Sequence, residues 1–328
     1  MRSRSITSAI AAVVIAACFT CTVSAETTAP AAVPAAVTTP VPAAAPAAVT
    51  TPATATTPAA VATPTQAPAA VPTPTQAPIA LKTVDLVIFA GQSNMSGRGG
   101  DAKSAPSVPK DTGYEFRYGS CATGLYPVTE PFGIYSNGYL CDPPALRGGS
   151  LVSSFMNAYY KSTGVPVLGF SAARGGTSIA WWQTPPARAE LLQKYEYIRS
   201  WCAANHIYIR RSYVVWLQGE TDGVANVEKD AYKAGLSSVF APLFTKGLEQ
   251  VFVITIGRYT GLPGTYDKII AAQKELCATD PHFTLGSDAL MSLPDTYSFD
   301  GCHYNQAALN IVGSQCGQVA AARSKLTP

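Results

Sequence analysis

From Val84 onward, short apolar runs alternate with longer segments of helical character. Strands that are apolar on both faces are typical of a parallel sheet covered by helices on both sides, in which each helix connects one strand to the next. The alternation therefore predicts an α/β domain with a five-stranded parallel sheet. The predicted strands are VDLVIFA (84–90), VPVLGFSAA (165–173), SYVVWLQ (212–218), VFVITIG (251–257) and HFTLGSD (282–288).

The predicted strands and the helices between them indicate one doubly wound, flavodoxin-like domain over residues 83–328. In such a fold the functional groups gather at the carboxyl ends of the strands. Residues 101–149 are an exception, because they are rich in Gly, Pro, Tyr and Cys and have no clear period. We expect them to form a long loop insertion. Helices are predicted at 150–163, 187–205, 227–247, 266–279 and 305–325.

The start of the chain has a different composition. The basic residues of MRSRS, the apolar stretch ITSAIAAVVIAAC and the small residues before Glu26 predict a secretory signal peptide over residues 1–25 and an extracellular protein. The stretch IAAC also resembles a bacterial lipoprotein signal, so a lipid anchor at Cys18 stays open. Residues 26–82 contain 12 prolines. Dense proline blocks helix and sheet hydrogen bonds, and we therefore predict a disordered linker there.

The charge balance excludes two classes of partner. The chain has 23 basic and 20 acidic residues, and loss of the signal peptide removes Arg2 and Arg4, which leaves 21 basic residues and a net charge of +1. So small a charge gives no electrostatic basis for binding nucleic acid or an anionic membrane. The apolar stretch of the signal is too short to span a bilayer. We expect a monomer with no membrane span and no nucleic-acid partner.

Six of the eight cysteines follow the signal peptide. An even number of cysteines in an exported chain predicts disulfides, and closeness in sequence selects the first two of the pairs given below. Metal binding is disfavoured, because the mature chain has no Cys-x-x-Cys and the whole chain has three histidines. We therefore predict no metal. The expected pairs are Cys121–Cys141, Cys302–Cys316 and Cys202–Cys277.

Polar residues follow several of the predicted strands. Because parallel strands end at a common edge, these segments are expected to meet there. Together they supply a hydroxyl, a Gly-rich turn, an amide and an Asp-x-x-His pair, which is a set suited to acyl transfer. The segments are Gly91-Gln92-Ser93-Asn94, Arg174-Gly175-Gly176-Thr177-Ser178, Gln218-Gly219-Glu220-Thr221-Asp222 and Asp300-Gly301-Cys302-His303.

Acyl transfer assigns a role to three of these side chains. A serine needs an imidazole to take its proton, and the imidazole needs a carboxylate to orient it and stabilise its charge. Ser93, His303 and Asp300 match these roles. The tetrahedral intermediate also needs hydrogen-bond donors for its oxyanion. The candidate donors are the backbone N–H of Ser93, the N–H of Gly175 or Gly176, and the Gln218 side chain.

The segments GQSNMSGRGG, GGTSIAWW, WLQGETD and DGCHYN resemble the SGNH or GDSL-like hydrolase superfamily. Within it they are most similar to carbohydrate esterase family six, which includes acetyl xylan esterases, and to the sialate O-acetylesterase domain. The resemblance covers about residues 84–310 and implies a three-layer α/β/α fold, no cofactor and removal of acetyl groups from sugar hydroxyls. The wider superfamily has an Asn in the third segment, so the resemblance gives its oxyanion role to Gln218.

Three neighbouring residues are candidates for supporting roles. We expect Gln92 and Asn94 to support the turn that carries the serine. Glu220 and Asp222 have the residue types of a glycosidase acid pair. Two carboxylates so close in one loop more often bind backbone amides, and we prefer that role for Glu220.

Four further residues are candidate substrate contacts. Arg98 and Arg174 flank the site segments, and each either contacts the substrate or pairs with Glu220 or Asp222. Of Trp181 and Trp182, we expect one to pack in the core, whereas the other is a candidate for stacking on a sugar ring.

The sequence favours a secreted serine esterase that deacetylates a xylan-type polysaccharide, because a long linker suits a polymeric substrate. A sialate or other sugar O-acetylesterase is the alternative within the class. A non-catalytic carbohydrate-binding protein on the same fold is the alternative outside it. The presence of every candidate for the Ser–His–Asp triad argues against the second alternative.

Overall fold

The computed structural model of the protein describes residues 82–119 and 123–326, so the predicted signal peptide and residues 26–81 of the predicted linker lie outside it. The strands are β1 (Lys82–Gly91), β2 (Gly113–Arg117), β3 (Gly124–Pro127), β4 (Val167–Ala173), β5 (Ile207–Leu217), β6 (Gln250–Ile254) and β7 (Phe283–Ser287). The helices are α1 (Val152–Thr163), α2 (Ile179–Trp182), α3 (Pro185–Ala204), α4 (Glu220–Val224), α5 (Lys229–Phe244), α6 (Asp267–Thr279) and α7 (Gln306–Leu326).

The strands form one sheet in the order β3-β2-β4-β1-β5-β6-β7. Neighbouring strands are parallel except β3, which is antiparallel to β2. The central strand β1 pairs with β4 and β5, and the register aligns Gly91 with Ala173 on one side and with Leu217 on the other. These three strands therefore end together, at what we call the carboxyl edge of the sheet.

The prediction of an α/β fold with a parallel sheet is confirmed, but the number of strands is wrong. The five predicted strands are β1, β4, β5, β6 and β7, and the sheet has two more. Both additional strands come from residues 101–149, which the sequence indicated to be a loop. They are five and four residues long, begin with glycine and lack an apolar run, and β3 lies at the edge of the sheet. Without an apolar run, these strands leave too weak a pattern to recognise.

Helices cover both faces of the sheet, which gives the three-layer α/β/α arrangement. The pair α1 and α7 packs together on one face, and the right-handed crossovers place α3, α5 and α6 on the other. The two paired helices approach closely because glycines face the partner helix. A Cβ on Gly313 would lie 2.3 Å from the Leu151 carbonyl oxygen, and one on Gly317 would lie 2.5 Å from the Phe155 oxygen.

The central strand is fully buried from Val84 to Ala90. Burial of each large apolar side chain stabilises the fold by about 1.5–3 kcal/mol. The charged exception is Asp85, whose carboxylate accepts hydrogen bonds from Tyr159 Oη (2.6 Å) and Arg210 Nη2 (2.6 Å). The strand that leads to Ser93 is thus held firmly along its length.

The described cysteines form no disulfide with one another. The expected Cys302–Cys316 bond is absent because the two thiols lie in different places. Cys316 is fully buried on α7, against β7, whereas Cys302 contacts Asp300 at the carboxyl edge. The prediction of this disulfide is therefore wrong.

The expected Cys202–Cys277 bond is also absent. Cys202 lies on α3 and Cys277 on α6, and both are free thiols, so this prediction is wrong as well. Burial raises the pKa of each thiol to about 12, so neither forms a reactive thiolate at neutral pH. Cys121 lies outside the described residues, and the Cys121–Cys141 bond stays a prediction. Within the described part of the chain, no helix has the length and apolar character needed to cross a membrane.

Candidate active site

Ser93 lies in the tight turn that follows β1 at the carboxyl edge. The turn begins at Gly91, where φ is +149° and a Cβ would lie 2.0 Å from the Leu217 carbonyl oxygen, so only glycine fits there. The Ser93 carbonyl oxygen accepts hydrogen bonds from the Arg98 N–H (2.9 Å) and the Ser96 hydroxyl (3.0 Å). These contacts fix the backbone of Ser93.

The structure brings Ser93, His303 and Asp300 into one hydrogen-bonded chain. His303 Nε2 lies 2.8 Å from Ser93 Oγ, and His303 Nδ1 lies 2.7 Å from Asp300 Oδ2. Asp300 Oδ1 also accepts the His303 backbone N–H at 2.8 Å. Partial burial acts to raise the pKa of Asp300, but the hydrogen bonds from the His303 side chain and backbone outweigh it and hold that pKa well below its ordinary value.

Asn94 joins the serine turn to the loop that carries the histidine. Its Nδ2 donates to Glu220 Oε1 (2.6 Å) and to the Cys302 carbonyl oxygen (3.0 Å), and its Oδ1 accepts the Tyr304 N–H (3.1 Å). Because the bonds to Cys302 and Tyr304 connect segments that are about two hundred residues apart, Asn94 fixes the distance between the serine and the histidine. Burial raises the pKa of Glu220. This residue accepts the Asn94 side-chain amide, whereas the sequence predicted backbone amides as its partners.

Gln218 uses its side-chain amide for contacts other than the oxyanion contact that the sequence predicts. It is fully buried, and its Nε2 donates to the Thr177 carbonyl oxygen (2.8 Å) and to Asp222 Oδ2 (2.6 Å). Its Oε1 accepts the Tyr232 hydroxyl (3.1 Å). The Gln92 side-chain amide lies 3.3 Å from Gln218 Nε2, so it belongs to the same buried cluster. The amide donors of Gln218 therefore hold β5 to the segment after β4.

The two glycines of the Gly-rich turn after β4 differ in whether their N–H groups already bond to an acceptor. The Gly175 N–H donates to Asp142 Oδ1 at 2.9 Å. Gly176 is exposed, has φ of +72° and leaves open space around its Cα. Among the described residues, none accepts a hydrogen bond from the N–H of Gly176 or of Ser93. Of the two glycines that the sequence left open, Gly176 is thus the one with an available N–H.

Arg98 has a partner that the sequence did not reveal. Its Nη2 lies 3.6 Å from Asp142 Oδ2, whereas the sequence suggested Glu220 or Asp222. Asp142 is buried and comes from the segment between β3 and α1. It was missed because this segment has no period and its carboxylate follows no predicted strand.

The two tryptophans have different environments, as the sequence predicted. Trp182 is fully buried, and its Nε1 donates to Thr177 Oγ1 (3.0 Å). Trp181 is half-buried and stacks on Tyr139, with 4.7 Å between the ring centroids and 18° between the planes. Arg174 lies beside both stacked rings and donates from Nη1 to the Tyr139 carbonyl oxygen (2.8 Å). Tyr139, which sequence reasoning missed, is 37% exposed.

One group of potential metal ligands exists among the described residues. The ligand atoms of Asp300, Cys302 and His303 lie within 4.8 Å of one another. Two of these residues are already hydrogen-bonded to each other and to Ser93. The geometry is therefore that of a proton-transfer chain, and the absence of a metal stays a prediction.

The α/β/α fold and the Ser–His–Asp chain at its carboxyl edge are those of a carboxylic ester hydrolase. The family described as carbohydrate esterase, sialic acid-specific acetylesterase, matches residues 83–321. This match covers most of the chain, and the protein belongs to that family. It is thus an acetylesterase of carbohydrates.

Several solved structures are similar to this chain, and the first described below shows the same fold. A protein from Arabidopsis thaliana has a TM-score of 0.55 and 20% identity, with 74% of this chain and 98% of that chain covered. A carbohydrate acetylesterase from Xanthomonas citri has a TM-score of 0.46 and 14% identity, with 74% and 56% covered. A catalytic mutant of an acetylxylan esterase from Geobacillus stearothermophilus has a TM-score of 0.38 and 14% identity, with 74% and 93% covered. Comparison with curated protein sequences gives no match.

Proposed function

We propose that the protein is a serine esterase that removes acetyl groups from a xylan-type polysaccharide through an acyl-enzyme. The observation that carries the proposal is the hydrogen-bonded chain from Ser93 Oγ through His303 to Asp300, with both distances below 3 Å. A serine in contact with an imidazole that a carboxylate orients is the arrangement needed for nucleophilic acyl transfer. A non-catalytic carbohydrate-binding protein has no need of it.

In the first step His303 Nε2 takes the proton of Ser93 Oγ while that oxygen attacks the acetyl carbonyl carbon. The tetrahedral intermediate then collapses, the bond to the sugar oxygen breaks, and His303 gives its proton to that oxygen. Water attacks the acetyl-serine in the same way, with His303 again as the base, and acetate leaves. Asp300 keeps its charge throughout and stabilises the imidazolium.

The N–H groups of Ser93 and Gly176 serve as the donors to the oxyanion. They are the predicted backbone donors that bond to no acceptor in the described part of the chain. A donor that is already oriented and unpaired costs no rearrangement when charge develops on the substrate oxygen. Gln218 lacks this property, because its Nε2 already donates to the buried acceptors Thr177 and Asp222.

Aromatic side chains support a sugar substrate. The stacked pair of Trp181 and Tyr139 lies beside the Gly-rich turn. A second ring, Phe299, is 65% exposed and directly precedes Asp300. Large aromatic faces stack on the apolar faces of sugar rings. Rings at two places around the serine suit a chain of several sugar units better than a single unit.

Arg174 gives a specific reason to keep an acidic sugar as the second candidate. Its guanidinium lies at the same rim as Trp181, and a sugar carboxylate would pair with it. O-acetylated sialic acid carries such a carboxylate, whereas an unsubstituted xylan chain does not. The rim therefore offers a contact that distinguishes the two substrates.

Acetate release from acetylated xylan and from O-acetylated sialic acid, at equal concentrations of acetyl groups, tests the proposal. We expect a higher kcat/KM on acetylated xylan than on O-acetylated sialic acid. Ser93→Ala should release no acetate from either substrate. A kcat/KM at least about tenfold higher on sialic acid would favour the second candidate. No acetate release from either substrate by the intact protein would contradict the esterase function itself.

The role of Trp181 has a matched control in Tyr208, an aromatic residue that is 55% exposed at the start of β5, far from the serine. We expect Trp181→Ala to raise KM for the polymer several-fold and to leave hydrolysis of 4-nitrophenyl acetate unchanged, because the small ester has no sugar to stack. Tyr208→Ala should change neither. Equal effects of the two substitutions on the polymer would contradict the stacking role.

A further inference from the structure

Asp142 makes an unusual set of contacts for a residue outside the triad. Its side chain is buried, with 4% of the residue exposed. Oδ1 accepts the Gly175 N–H at 2.9 Å, and Oδ2 accepts the Ser96 hydroxyl at 2.8 Å. The guanidinium of Arg98 lies 3.6 Å from Oδ2. One carboxylate thus contacts both the serine turn and the Gly-rich turn.

Each of these contacts acts on the backbone that carries an oxyanion donor. The Ser96 hydroxyl oxygen also lies 3.0 Å from the carbonyl oxygen of Ser93, within the turn that presents the Ser93 N–H, so its one proton is shared between that oxygen and Asp142. In the Gly-rich turn, the peptide before Gly175 is held at both ends, since its N–H bonds to Asp142 and its carbonyl oxygen accepts the Thr177 hydroxyl at 2.8 Å. The next peptide carries the Gly176 N–H.

The backbone of Asp142 is fixed independently of its carboxylate. Its N–H donates to the Ala173 carbonyl oxygen at the end of β4 (2.8 Å). The buried Arg147 donates to the carbonyl oxygens of Asp142 (3.2 Å) and Ala173 (3.3 Å). The carboxylate therefore reaches the two turns from a rigid base, which suits it to set the distance between them.

We infer that Asp142 is a positioning residue of the esterase, which sets the separation of the Ser93 and Gly176 N–H groups, and that Arg98 balances its charge. The inference rests on the proposed function of those two groups. A buried carboxylate near a developing oxyanion would repel it, and a cation beside the carboxylate offsets that repulsion. Arg98 is thus assigned to the ion pair with Asp142 and is no longer a candidate substrate contact.

The test compares four variants by kcat and KM on 4-nitrophenyl acetate, together with Tm. Asp142→Ala removes both acceptors, and we expect kcat to fall by about 10- to 100-fold with KM within about twofold, because a small misplacement of catalytic groups has effects of this size. Asp142→Asn keeps one acceptor oxygen for Gly175 and should retain more activity than the Ala variant. If Asp142→Ala does not fold, Asp142→Asn and the two Arg98 variants described next still test the inference.

The charge argument makes a separate prediction. Arg98→Gln leaves the Asp142 carboxylate unbalanced and should lower kcat more than the double variant Arg98→Gln/Asp142→Asn, in which no charge is left. A general loss of stability would not produce this recovery, because two destabilising changes do not restore activity. A double variant that is slower than Arg98→Gln alone would contradict the charge balance.

Glu130 provides the matched control. Its carboxylate also accepts backbone N–H groups, from Phe132 and Ser150, and hydroxyls, from Ser150 and Ser153, but none of these donors belongs to the serine turn or to the Gly-rich turn. Glu130→Gln should lower Tm and leave kcat unchanged. If Asp142→Ala behaves as Glu130→Gln does, Asp142 is only structural and the inference is overturned. The proposed function fails by a different result, which is the absence of esterase activity in the intact protein.

Discussion

At the scale of single residues, the function depends on the contact between Ser93 and His303. We expect Ser93→Ala and His303→Ala each to lower kcat by about 10⁴-fold, because the first removes the nucleophile and the second removes its base. The double variant should be no slower than either single one, since the two groups act as a unit. Acetate release in single-turnover experiments measures this. Near-normal release by Ser93→Ala would exclude an acetyl-serine intermediate.

Gln218 separates a structural role from a catalytic one. Its buried amide bonds to Thr177 and Asp222 predict that Gln218→Ala lowers the free energy of unfolding by about 1–3 kcal/mol, because buried acceptors lose their donor. We expect kcat to change by less than about tenfold. Urea denaturation and steady-state kinetics check both numbers. A kcat about 10²-fold lower at unchanged stability would restore the oxyanion role that the sequence predicted.

The lowered pKa of Asp300 predicts a dependence of stability on pH. Because this pKa lies below the ordinary value of about 4, the ionised carboxylate stabilises the fold above pH 4, and the contribution is lost as the pH falls through the folded value. The intact protein should therefore lose more stability below pH 4 than Asp300→Asn does. Urea midpoints of both proteins at pH 5 and pH 3 test this, and parallel pH profiles would contradict it.

The sequence predicted the residues of the site better than their contacts. Ser93, Asp300 and His303 follow from motifs, because their chemistry needs particular residue types at fixed places after strands. Which amide N–H stays unpaired depends on what packs behind it. That information lies in Asp142 and Asp222, whose carboxylates occupy the donors of Gly175 and Gln218. Neither pairing leaves a pattern in the sequence.

At the scale of elements, the close contact between α1 and α7 can be tested by adding a side chain where the two helices meet. A Cβ at Gly313 would lie 2.3 Å from the Leu151 carbonyl oxygen, so Gly313→Ala forces the helices apart. We expect a loss of stability of about 1–3 kcal/mol, as for other overpacked sites. Gln318→Ala, at an exposed position of the same helix, is the control and should have little effect. Equal midpoints of the two variants in urea would contradict the close approach.

Elements were predictable where the pattern was long and apolar. The five predicted strands and the longer helices have a clear hydrophobic pattern, and their predicted ranges overlap those of the structure. The segment 101–149 has no such hydrophobic pattern, because it is held by individual polar contacts rather than by a periodic apolar face. The buried Glu115 accepts the Gly133 N–H, and Arg147 donates to three carbonyl oxygens and to Ser171. Such contacts bring Asp142 and Tyr139 to the site.

At the scale of the whole molecule, the N-terminal prediction has a direct test. If residues 1–25 are a signal peptide, the exported protein begins at Glu26, and mass spectrometry of its N-terminal peptide will show this. A lipid-modified Cys18 at the N-terminus would instead support a membrane-anchored form. A protein that keeps Met1 would contradict export by either route.

Both described ends of the domain lie away from the serine. β1 begins at Lys82 and rises about 30 Å over its ten residues before the serine turn. α7 begins just after the His303 loop and extends about 30 Å over its 21 residues, so its far end also lies away from that loop. A solid support or fusion partner joined at either end therefore leaves the reactive edge facing outward. Immobilised in this way, the enzyme should keep its rate on an insoluble polymer, whereas attachment through the 257–267 loop at the carboxyl edge should block it.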